Sequence, residues 1–535
     1  MIFYLILISV VIFACVLLNK ITGRIGIPAL LAFIGLGMLL GSNGPFHLEF
    51  SNYAVTEKVC TVALIFIMFY GGFGTNWKQA KKVAAQSVLL STVGVAMTAS
   101  ICAVFCHFVL TFPWIESFLM GSVISSTDAA SVFSILRSRK MNLKFGTASL
   151  LELESGSNDP VAYMMTAIFI AVYQGSISGG QIAYMIFAQI VYGIAIGAGI
   201  SVLSLFIFKK IRDMGDGFNM IFVVGIALLA YAVPAIVGGN GYLSTYIVGI
   251  VLGNAKIKDK PELVHFFDGL TIAAQMLVFF LLGFLSEPVT FPSVVLPGII
   301  IAAFVIFAAR PAVVFTLLAP FKTKLSQKLL ISWSGLRGAS SIVFAISVFL
   351  ETSAKNNIFY ISFFIVLVSI FLQGSLLPFV ARKLDMIDEK EDIMKTFTDY
   401  SEEVPIQFVQ CLVPSDHPWV DKRMKDIILP PDSIAVLLCR GTGRIIPNGD
   451  TVIQKNDRII LSAPTPCQIE GVELTEIVVD PDDGDYVGKS LSEIDKSTYG
   501  LVIMIIRGEE IIIPKGDVRL AGGDVLVINN KIRQS

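Results

Sequence analysis

Charged residues are scarce in this chain. Asp, Glu, Lys and Arg make up 15% of its 535 residues, whereas hydrophobic residues make up 55% and the mean hydropathy is +0.76. This composition excludes an ordinary soluble protein, because the apolar runs are long enough to cross a lipid bilayer. The net charge of −1 provides no overall basic character. We therefore expect membrane lipid, and no nucleic acid, among the partners of the chain.

Three sequence signatures are also missing. The seven cysteines form no CxxC pair and no regular framework, which predicts buried thiols and no disulfide scaffold. The first apolar run, residues 1–18, has neither a basic start nor a small-residue cleavage motif, which predicts a retained span. The pentapeptide TVGYG, the filter sequence of potassium channels, does not occur. A channel is therefore less favoured than other membrane proteins.

The apolar runs predict thirteen membrane spans. A window of about 20 residues places their starts near residues 1, 27, 59, 83, 118, 147, 181, 218, 239, 265, 292, 326 and 357, and the last run ends near Val380. The second and ninth runs are short and rich in glycine, as tilted or broken helices are. The predicted fold is an all-α polytopic membrane domain followed by a cytosolic α+β domain.

Basic residues alternate between the two sets of loops. Loops after odd-numbered spans carry clusters such as Lys78, Lys81 and Lys82, whereas the opposite set carries only Lys58 and Lys355. Cytoplasmic loops of membrane proteins are enriched in Lys and Arg. The alternation therefore predicts an N-terminus outside the cell and a cytosolic C-terminus.

The region after Val380 is charged and then turns into short β-like runs separated by Pro, Gly and Asp. It contains a duplication in which five residues recur 67 positions later, namely Arg440, Pro447, Gly449, Asp450 and Asp457 as Arg507, Pro514, Gly516, Asp517 and Asp524. We predict a membrane domain at residues 1–383, a linker at 384–402, and two small α+β modules at 403–467 and 468–535.

The two modules resemble the C-terminal module of regulators of potassium conductance. This resemblance implies that the modules pair with each other and bind a small cytosolic ligand. Arg440 and Arg507 are the side chains best suited to an anionic ligand. RGTGRI does not place a G-x-G-x-x-G pattern between a strand and a helix, so no NAD is expected. The alternative role for the recurring residues is structural, since Gly-Asp pairs form hairpin turns.

Carboxylates lie inside the predicted spans at Asp128, Glu154 and Asp159. An ionisable side chain at bilayer depth usually faces a cavity, a partner or a transported ion. From the helical rise, Asp159 lies about 18 Å and Asp128 about 12 Å from the inner ends of their spans, near the midplane. Ser155 shares a helix face with Asp159, and Asn158 shares one with Glu154.

Small polar residues interrupt two spans, one in each half of the membrane domain. SVISSTDAAS contains Thr127 and Asp128, and SGLRGASS contains Arg337. Paired interruptions predict an inverted repeat with two broken helices that cross. Asp128 and Arg337 would neutralise the partial charges at the ends of the half-helices. Similar depths predict a structural charge pair between Glu154 and Arg337. Further polar side chains that could line a cavity or act as a counter-charge are Arg310, Gln275 and Gln373.

STDAAS, ESGSNDP and GLRGASS resemble motifs of the cation:proton antiporter superfamily, in its NhaP-like electroneutral branch. The resemblance covers residues 1–383. It implies a homodimer, a six-helix core of inverted repeats and no catalytic residues. Mapped onto this chain, the family's monovalent-cation and proton site consists of Asp159, Asn158, Asp128, Thr127 and Ser155.

The resemblance and the residues together predict a bacterial potassium/proton antiporter of the inner membrane. A partly desolvated carboxylate can hold either a proton or a cation. Because Asn158 precedes Asp159 in place of a second acid, we expect exchange of one cation for one proton. No cofactor is expected, although a nucleotide such as cyclic di-AMP could act as regulator. The alternatives are Na+ as the cation, a ligand-gated cation channel, and a receptor that does not transport.

Overall fold

The structure is a computed structural model. It describes residues 2–25, 28–41, 44–45, 52–138, 141–175, 177–210, 217–255, 257, 260–354, 356–388, 406–415, 417–430, 433–441, 443–464, 474–479, 487–493, 501–507, 510–512, 514 and 516–529. The chain divides into two compact units, Met1–Ser401 and Glu402–Ser535. The first is helical and the second consists of small sheets.

Fifteen main helices make up the described part of the first unit. They are α1 (Ile2–Ile25), α2 (Ala29–Leu40), α3 (Tyr53–Gly74), α4 (Ala84–Leu110), α5 (Trp114–Ser125), α6 (Ala129–Ser138), α7 (Thr147–Tyr173), α8 (Gly179–Lys210), α9 (Phe218–Ile236), α10 (Gly241–Asn254), α11 (Lys260–Phe284), α12 (Phe291–Leu317), α13 (Leu325–Trp333), α14 (Ala339–Glu351) and α15 (Ile358–Lys383). A single helical turn, Trp77–Ala80, lies between α3 and α4. By length and composition, seven of the described helices can cross a membrane, namely α3, α4, α8, α9, α11, α12 and α15.

The thirteen predicted spans coincide with these helices once two broken pairs are each counted as one span. The third start was predicted at 59 and lies at Tyr53, which is the largest displacement among the described helices. The breaks separate α5 from α6 and α13 from α14, where the sequence is small and polar. The predicted all-α membrane fold is confirmed, and so are its two discontinuous helices.

The outer surface and the interior of the helical unit differ as expected for a membrane protein. On α1 and α8, large apolar side chains such as Phe13 and Val202 are about 70% exposed (71% and 68%), and hydrocarbon would cover them in a bilayer. Inside, the short helix α10 packs closely on α3, because a Cβ at Gly249 would overlap the backbone of Phe69. Small residues allow such close approach of membrane helices.

The segment after α15 forms a short two-stranded β-sheet with the loop between α6 and α7. Strand β1 (Asn142–Leu143) pairs antiparallel with β2 (Ile387–Asp388). The backbone N–H of Lys144 donates to the Met386 carbonyl at 2.9 Å, and Met386 is fully buried. Residues 387–388 of the predicted linker are therefore a strand, whereas residues 389–405 lie outside the described residues.

The second unit contains two four-stranded antiparallel sheets with the same strand order. The strands are β3 (Ile406–Leu412), β4 (Ile434–Arg440), β5 (Gly443–Ile445) and β6 (Arg458–Pro464) in the first sheet, and β7 (Leu474–Val478), β8 (Leu501–Arg507), β9 (Glu510–Ile512) and β10 (Val525–Asn529) in the second. Their orders are β3-β6-β4-β5 and β7-β10-β8-β9. Each sheet has its own small apolar cluster, around Leu438 and Ile459 in one and Ile505 and Leu526 in the other.

Candidate ion-binding site

The two interrupted helices cross at their breaks. The backbone N–H of Asp128, between α5 and α6, donates to the Leu336 carbonyl, between α13 and α14, at 2.8 Å. The crossing is tight enough to require glycine at Gly338, because a Cβ there would overlap the Asp128 carboxylate. Four half-helix ends therefore meet inside the membrane unit, which is the arrangement expected of crossed discontinuous helices.

Asp128 and Arg337 lie at half-helix ends of opposite polarity. The Asp128 carboxylate accepts from the backbone N–H of Ser131 at 3.2 Å, in the first turn of α6, and it adjoins Gly338 at the start of α14. Arg337 Nη1 donates to the Ser126 carbonyl, at the end of α5, at 2.7 Å. Negative charge is stabilised at helix N-termini and positive charge at C-termini. These contacts place Asp128 and Arg337 where they can neutralise the partial charges of the half-helix ends.

Asp159 lies in the middle of α7 beside this crossing and is 7% exposed. Its Oδ1 accepts a hydrogen bond from Ser126 Oγ, and Ser126 Oγ is 2.8 Å from Ser340 Oγ of α14. A helix of 27 residues thus carries the carboxylate to the point where both broken helices present hydroxyl groups. Asp128 contributes to the electrostatic environment of Asp159.

The remaining predicted ligands surround the same point. Asn158 Nδ2 donates to Thr127 Oγ1 at 2.6 Å, and Ser155 Oγ donates to the Thr127 carbonyl at 2.5 Å. Asn158 is fully buried, and its Oδ1 has no hydrogen-bond partner. Because buried polar atoms normally have partners, this amide oxygen is a candidate ligand for a transported cation.

A cavity of about 320 Å³ reaches Asp159 from between α3, α7 and α11. Of its polar lining residues, Ser134 is exposed and Asp268 and Gln275 are half-buried, so the cavity opens to the surface of the unit along polar side chains. Its polar lining residues are Tyr70, Asp128, Ser134, Glu152, Ser155, Asp159, Asp268, Thr271 and Gln275. The predicted Gln275 therefore lines the cavity. Carboxylate, amide and hydroxyl oxygens are the ligands that hard monovalent cations prefer, and a water-accessible carboxylate can also take a proton.

Arg337 was predicted as the partner of Glu154, and this prediction is wrong. Glu154 Oε1 lies 2.6 Å from Nη2 of Arg310, and both side chains are at most 4% exposed. Arg310 follows a π-helical turn, Val305–Ala309, within α12. Counted from the helix ends at the lysine-rich loops, Arg310 is seven residues from Leu317 and Glu154 is seven from Thr147, whereas Arg337 lies beyond the end of α13 at Trp333, so the helical rise is consistent with Arg310 as the partner. The proposed counter-charge role of Arg310 thus applies to Glu154 and not to Asp128.

Gln373 is a satisfied core glutamine. Its Oε1 accepts from Ser369 Oγ at 2.7 Å, and its Nε2 donates to the Trp333 carbonyl at 2.8 Å. Ser369 in turn accepts from the backbone N–H of Arg337 at 3.0 Å. Gln373 therefore supports the break after α13 instead of lining the cavity.

Sequence reasoning missed several polar residues of the site. Ser126 and Ser340 belong to the recognised motifs but were not singled out, and their contacts with Asp159 depend on the crossing. Glu152 and Asp268 line the cavity as additional carboxylates. Both lie within apolar helices, so the rule that identified Asp159 could also have identified them.

Arg440 and Arg507 have structural contacts that differ from the predicted ligand site. Arg440 binds the buried Asp457 through two hydrogen bonds of 2.9 and 2.7 Å, and Arg507 binds Asp524 through two of 2.8 Å. Each guanidinium group also donates to a backbone carbonyl. Burial raises the pKa of Asp457, but the Arg440 hydrogen bond, the backbone hydrogen bond from Gln454 and the charge of Arg440 together lower it more, so this pKa lies below its ordinary value. The Arg507 hydrogen bond likewise lowers the pKa of Asp524.

Comparison with known families identifies the helical unit. The family model described as "Sodium/hydrogen exchanger, transmembrane" matches residues 8–383. The chain belongs to this family. The exchanger family consists of transporters and not of enzymes. A second family model, the TrkA-C domain, matches residues 408–466 and 474–529, which correspond to the two sheets of the exchanger's second unit.

Individual relatives agree with this assignment. The K+/H+ antiporter NhaP of Alkalimonas amylolytica is 32% identical to this exchanger over 463 residues, which cover 85% of this chain and 80% of that protein. The K+/H+ antiporter NhaP2 of Shewanella oneidensis is 32% identical over 451 residues, which cover 83% and 78% respectively. The solved structure of the sodium proton antiporter MjNhaP1 from Methanocaldococcus jannaschii covers 71% of this chain and 99% of that chain, with a TM-score of 0.63 and 24% identity. The last comparison establishes the fold alone.

Proposed function

We propose that this exchanger is a secondary active antiporter that exchanges one K+ for one H+ across the bacterial inner membrane. Asp159 carries the proton or the cation in turn. The observation that supports this role is the position of Asp159 at the end of a water-accessible cavity, beside two crossed half-helices and the unpaired Oδ1 of Asn158. The choice of K+ rests on the two relatives at 32% identity, which are named K+/H+ antiporters.

The charges at the crossing favour electroneutral exchange. At the crossing itself, the charged groups of the described residues are the carboxylates of Asp128, Glu154 and Asp159 and the guanidinium groups of Arg310 and Arg337, of which Glu154 and Arg310 form an ion pair. With all five groups ionised, the formal charge is −1. A single proton or a single monovalent cation therefore neutralises the site, and both loaded states carry the same charge through the membrane.

Alternating access would let the two ions use the same carboxylate. The cavity residues Gly74, Glu152 and Asp268 lie toward the helix ends next to the lysine-rich loops. If those loops are cytoplasmic, as the positive-inside rule predicts, this conformation faces the cytosol. Movement of the α7 core against α3 and α11 would then expose Asp159 to the other side.

Flux measurements in proteoliposomes test the proposal. The purified chain should acidify or alkalinise the lumen when a K+ gradient is imposed, with a rate that does not change when the membrane potential is clamped. Asp159→Asn should abolish this exchange and still elute as a folded protein. Glu262→Gln, which removes an exposed carboxylate that does not line the cavity, serves as the control and should retain full exchange. Proton-coupled exchange that persists in Asp159→Asn would refute the assigned role of Asp159.

The same assay separates the alternatives. Exchange with Na+ and not with K+ would replace the proposed cation, as the fold of a sodium proton antiporter allows. Conductance without proton coupling would indicate a channel, and absence of any flux would indicate a receptor. Carboxylate and amide ligands suit both cations, so their discrimination depends on the size of the site.

The oligomer and the regulator belong to the same proposal. We expect a homodimer with an external N-terminus and a cytosolic C-terminus, which crosslinking and cysteine labelling of intact cells would test. We also expect the TrkA-C modules to respond to a small cytosolic ligand, for which cyclic di-AMP is the first candidate. Arg440 and Arg507 pair with Asp457 and Asp524 but remain 33% and 42% exposed, so they stay the first candidates for contact with an anionic ligand.

A further inference from the structure

Asp268 of α11 is a second carboxylate in the cavity that leads to Asp159. Tyr70 of α3 donates to its Oδ1 at 3.0 Å and so holds the carboxylate against the cavity wall. Asp268 is half-buried on a helix that is long and apolar enough to cross the membrane. A carboxylate at this depth is costly unless it faces a partner or an ion.

A second polar group next to Asp268 points to a ligand. Thr271 lies one turn further along α11, lines the same cavity and is 6% exposed. Its Oγ1 is buried without a hydrogen-bond partner. Buried hydroxyl groups are rarely left unpaired, and a hydroxyl beside a carboxylate is a common oxygen pair for monovalent cations.

The depths of these groups form a path. From the helix ends at the lysine-rich loops, the helical rise places Glu152 about 8 Å, Asp268 about 12 Å and Asp159 about 18 Å into the unit. All three line the cavity. An entering cation would thus meet Asp268 before it reaches Asp159.

We propose that Asp268 and Thr271, held by Tyr70, form a second monovalent-cation site that loads Asp159. This inference rests on the proposed exchange function and extends it. The site raises the cation concentration next to Asp159, because a carboxylate in a low-dielectric wall attracts cations strongly. It contributes to the apparent affinity for the cation more than to the maximal rate.

Kinetics of exchange at varied K+ test this site. Asp268→Asn should raise the KM for K+ about 10-fold and lower the maximal rate much less. Asp268→Glu, which keeps the charge, should restore most of the affinity. The matched control is Glu262→Gln, because Glu262 is an exposed carboxylate in the first turn of the same helix and does not line the cavity. Equal KM values for Asp268→Asn and Glu262→Gln would overturn the proposal.

A binding measurement separates this site from Asp159. In Asp159→Asn, which cannot exchange, replacing choline chloride by KCl at equal ionic strength should still raise the unfolding temperature. The double variant Asp159→Asn, Asp268→Asn should lose that K+ response. An unchanged response in the double variant would eliminate the second site, whereas retained exchange in Asp159→Asn would refute the proposed function instead.

A different observation carries a second inference. The segment that follows α15, residues 385–388, which we name the strap, pairs with the loop that joins the half-helix α6 to α7. The contacts are the β1–β2 pairing, the Lys144 to Met386 backbone hydrogen bond and an ion pair of 2.9 Å between Lys144 and Asp385. Met386 is buried in a cluster that includes Leu136 of α6 and Leu150 of α7.

We infer that the strap transmits the state of the C-terminal modules to the ion site. In chain order, the modules follow the strap, and the strap contacts the one loop that connects the Asp128 half-helix to the Asp159 helix. A shift of the strap would therefore move two elements of the ion site relative to each other. Coupling of this kind needs an element that both ends can bias.

A thermodynamic cycle tests the strap. Exchange is measured for the full chain and for a chain that ends after Asp388, each with and without Met386→Asp. The helical unit is expected to fold alone, because the MjNhaP1 chain matches it over 99% of its own length. In the chain with native Met386, removal of the residues after Asp388 should change the exchange rate or the pH dependence of that rate. In Met386→Asp, the same truncation should change neither.

Two controls complete the cycle. Asp385→Asn keeps the buried anchor and should retain the truncation effect. If Met386→Asp does not fold, Met386→Ala removes most of the same buried surface and takes its place. A truncation effect of the same size in the Met386 variant, or none with native Met386, would overturn the role of the strap.

Discussion

Arginine–carboxylate pairs occur in both units of the molecule, but they are built differently. In the helical unit, Glu154 and Arg310 are 156 residues apart and both are almost fully buried. In the sheet unit, Arg440 and Arg507 bind carboxylates 17 residues further along the chain, and each arginine is more than 30% exposed. The first pair depends on the tertiary fold, whereas the others are local and repeated.

The difference has an energetic cause. A charge buried in a low-dielectric interior needs its partner, since removing one member leaves an uncompensated charge. When one member of a partly exposed pair is removed, water solvates the charge that remains and so reduces the loss of stability. The two hydrogen bonds of each such pair mainly order the turn next to it. The helical unit should therefore be sensitive to which residues pair, and the sheet unit only to whether each local pair is intact.

The largest expected effect concerns the buried pair. Arg310→Met should reduce the stability of the helical unit by about 3–5 kcal/mol, because Glu154 would remain charged and unpaired. Adding Glu154→Gln should recover most of this loss. The measurement is thermal unfolding of the purified chain in detergent.

Arg337→Met is the matched control for that rescue. Because Arg337 binds the Ser126 carbonyl and not Glu154, adding Glu154→Gln should not rescue it. Equal rescue of both arginine variants would contradict the pairing described for Glu154.

A smaller effect is expected at the helix crossing. Gly338→Ala should destabilise the unit by about 1–3 kcal/mol and impair exchange, because the new methyl group would overlap the Asp128 carboxylate. Gly335→Ala should be milder, since its Cβ would lie 3.1 Å from Arg310 Nε, an overlap that a shift of a few tenths of an ångström relieves. Unfolding temperature and exchange rate are measured together. An equal loss of stability and exchange in Gly338→Ala and Gly335→Ala would show that position 338 is not packed more tightly than position 335.

The local pairs should matter less and only within their own sheet. Asp457→Asn should destabilise the first sheet by about 1.5–3 kcal/mol through loss of charged hydrogen bonds, and Asp524→Asn should do the same in the second. Hydrogen exchange of β4 and β8 in the full chain provides the measurement. Faster exchange in both sheets from a single variant would contradict their independence.

The same pair predicts a pH dependence. Since the pKa of Asp457 is lowered in the folded chain, its contribution is complete above the unfolded pKa of about 3.9 and is lost as the pH falls through the folded value. The stability difference between wild type and Asp457→Asn should therefore shrink below about pH 4. A difference that persisted at lower pH would indicate packing loss and not charge.

The smallest effect is expected at the surface. The ion pair of Lys144 and Asp385 joins side chains that are 29% and 93% exposed. Lys144→Ala should change stability by less than about 1 kcal/mol, and high salt should remove most of that change. Thermal unfolding at low and high salt measures this. A loss as large as that of Arg310→Met would contradict the comparison between buried and exposed pairs.

Much of the fold was predictable because apolar length and loop charge are local properties. The helix starts at Thr147 and Phe218 coincide with the predicted ones, and the broken helices lie where the small polar residues predicted them. The partner of Glu154 was predicted wrongly. Arg337 lies in a helix break, where the helical rise does not give its depth, and its guanidinium group contacts the Ser126 carbonyl, whereas Arg310 contacts Glu154.

The candidate site shows the same division. The acids and hydroxyls of α5, α6 and α7 were recognisable from their motifs, and Asp128, Ser155 and Asp159 do line one cavity. The distant members were not recognised, since Asp268, Thr271 and Tyr70 belong to α3 and α11 and carry no motif. The ion pair of Arg440 was not recognised either, because its nearby acid, Asp457, lies across a strand pair and not in the same strand.

By itself, the sequence determined the membrane class, the positions of the helices, the duplicated sheets and the acidic residue at the centre, because hydrophobicity, charge and repetition act along the chain. Only the tertiary structure decided which arginine neutralises Glu154, which helices enclose the water-accessible cavity, and how the strap meets the loop before α7. Those choices depend on contacts between residues far apart in sequence, which helix packing creates and no local pattern encodes.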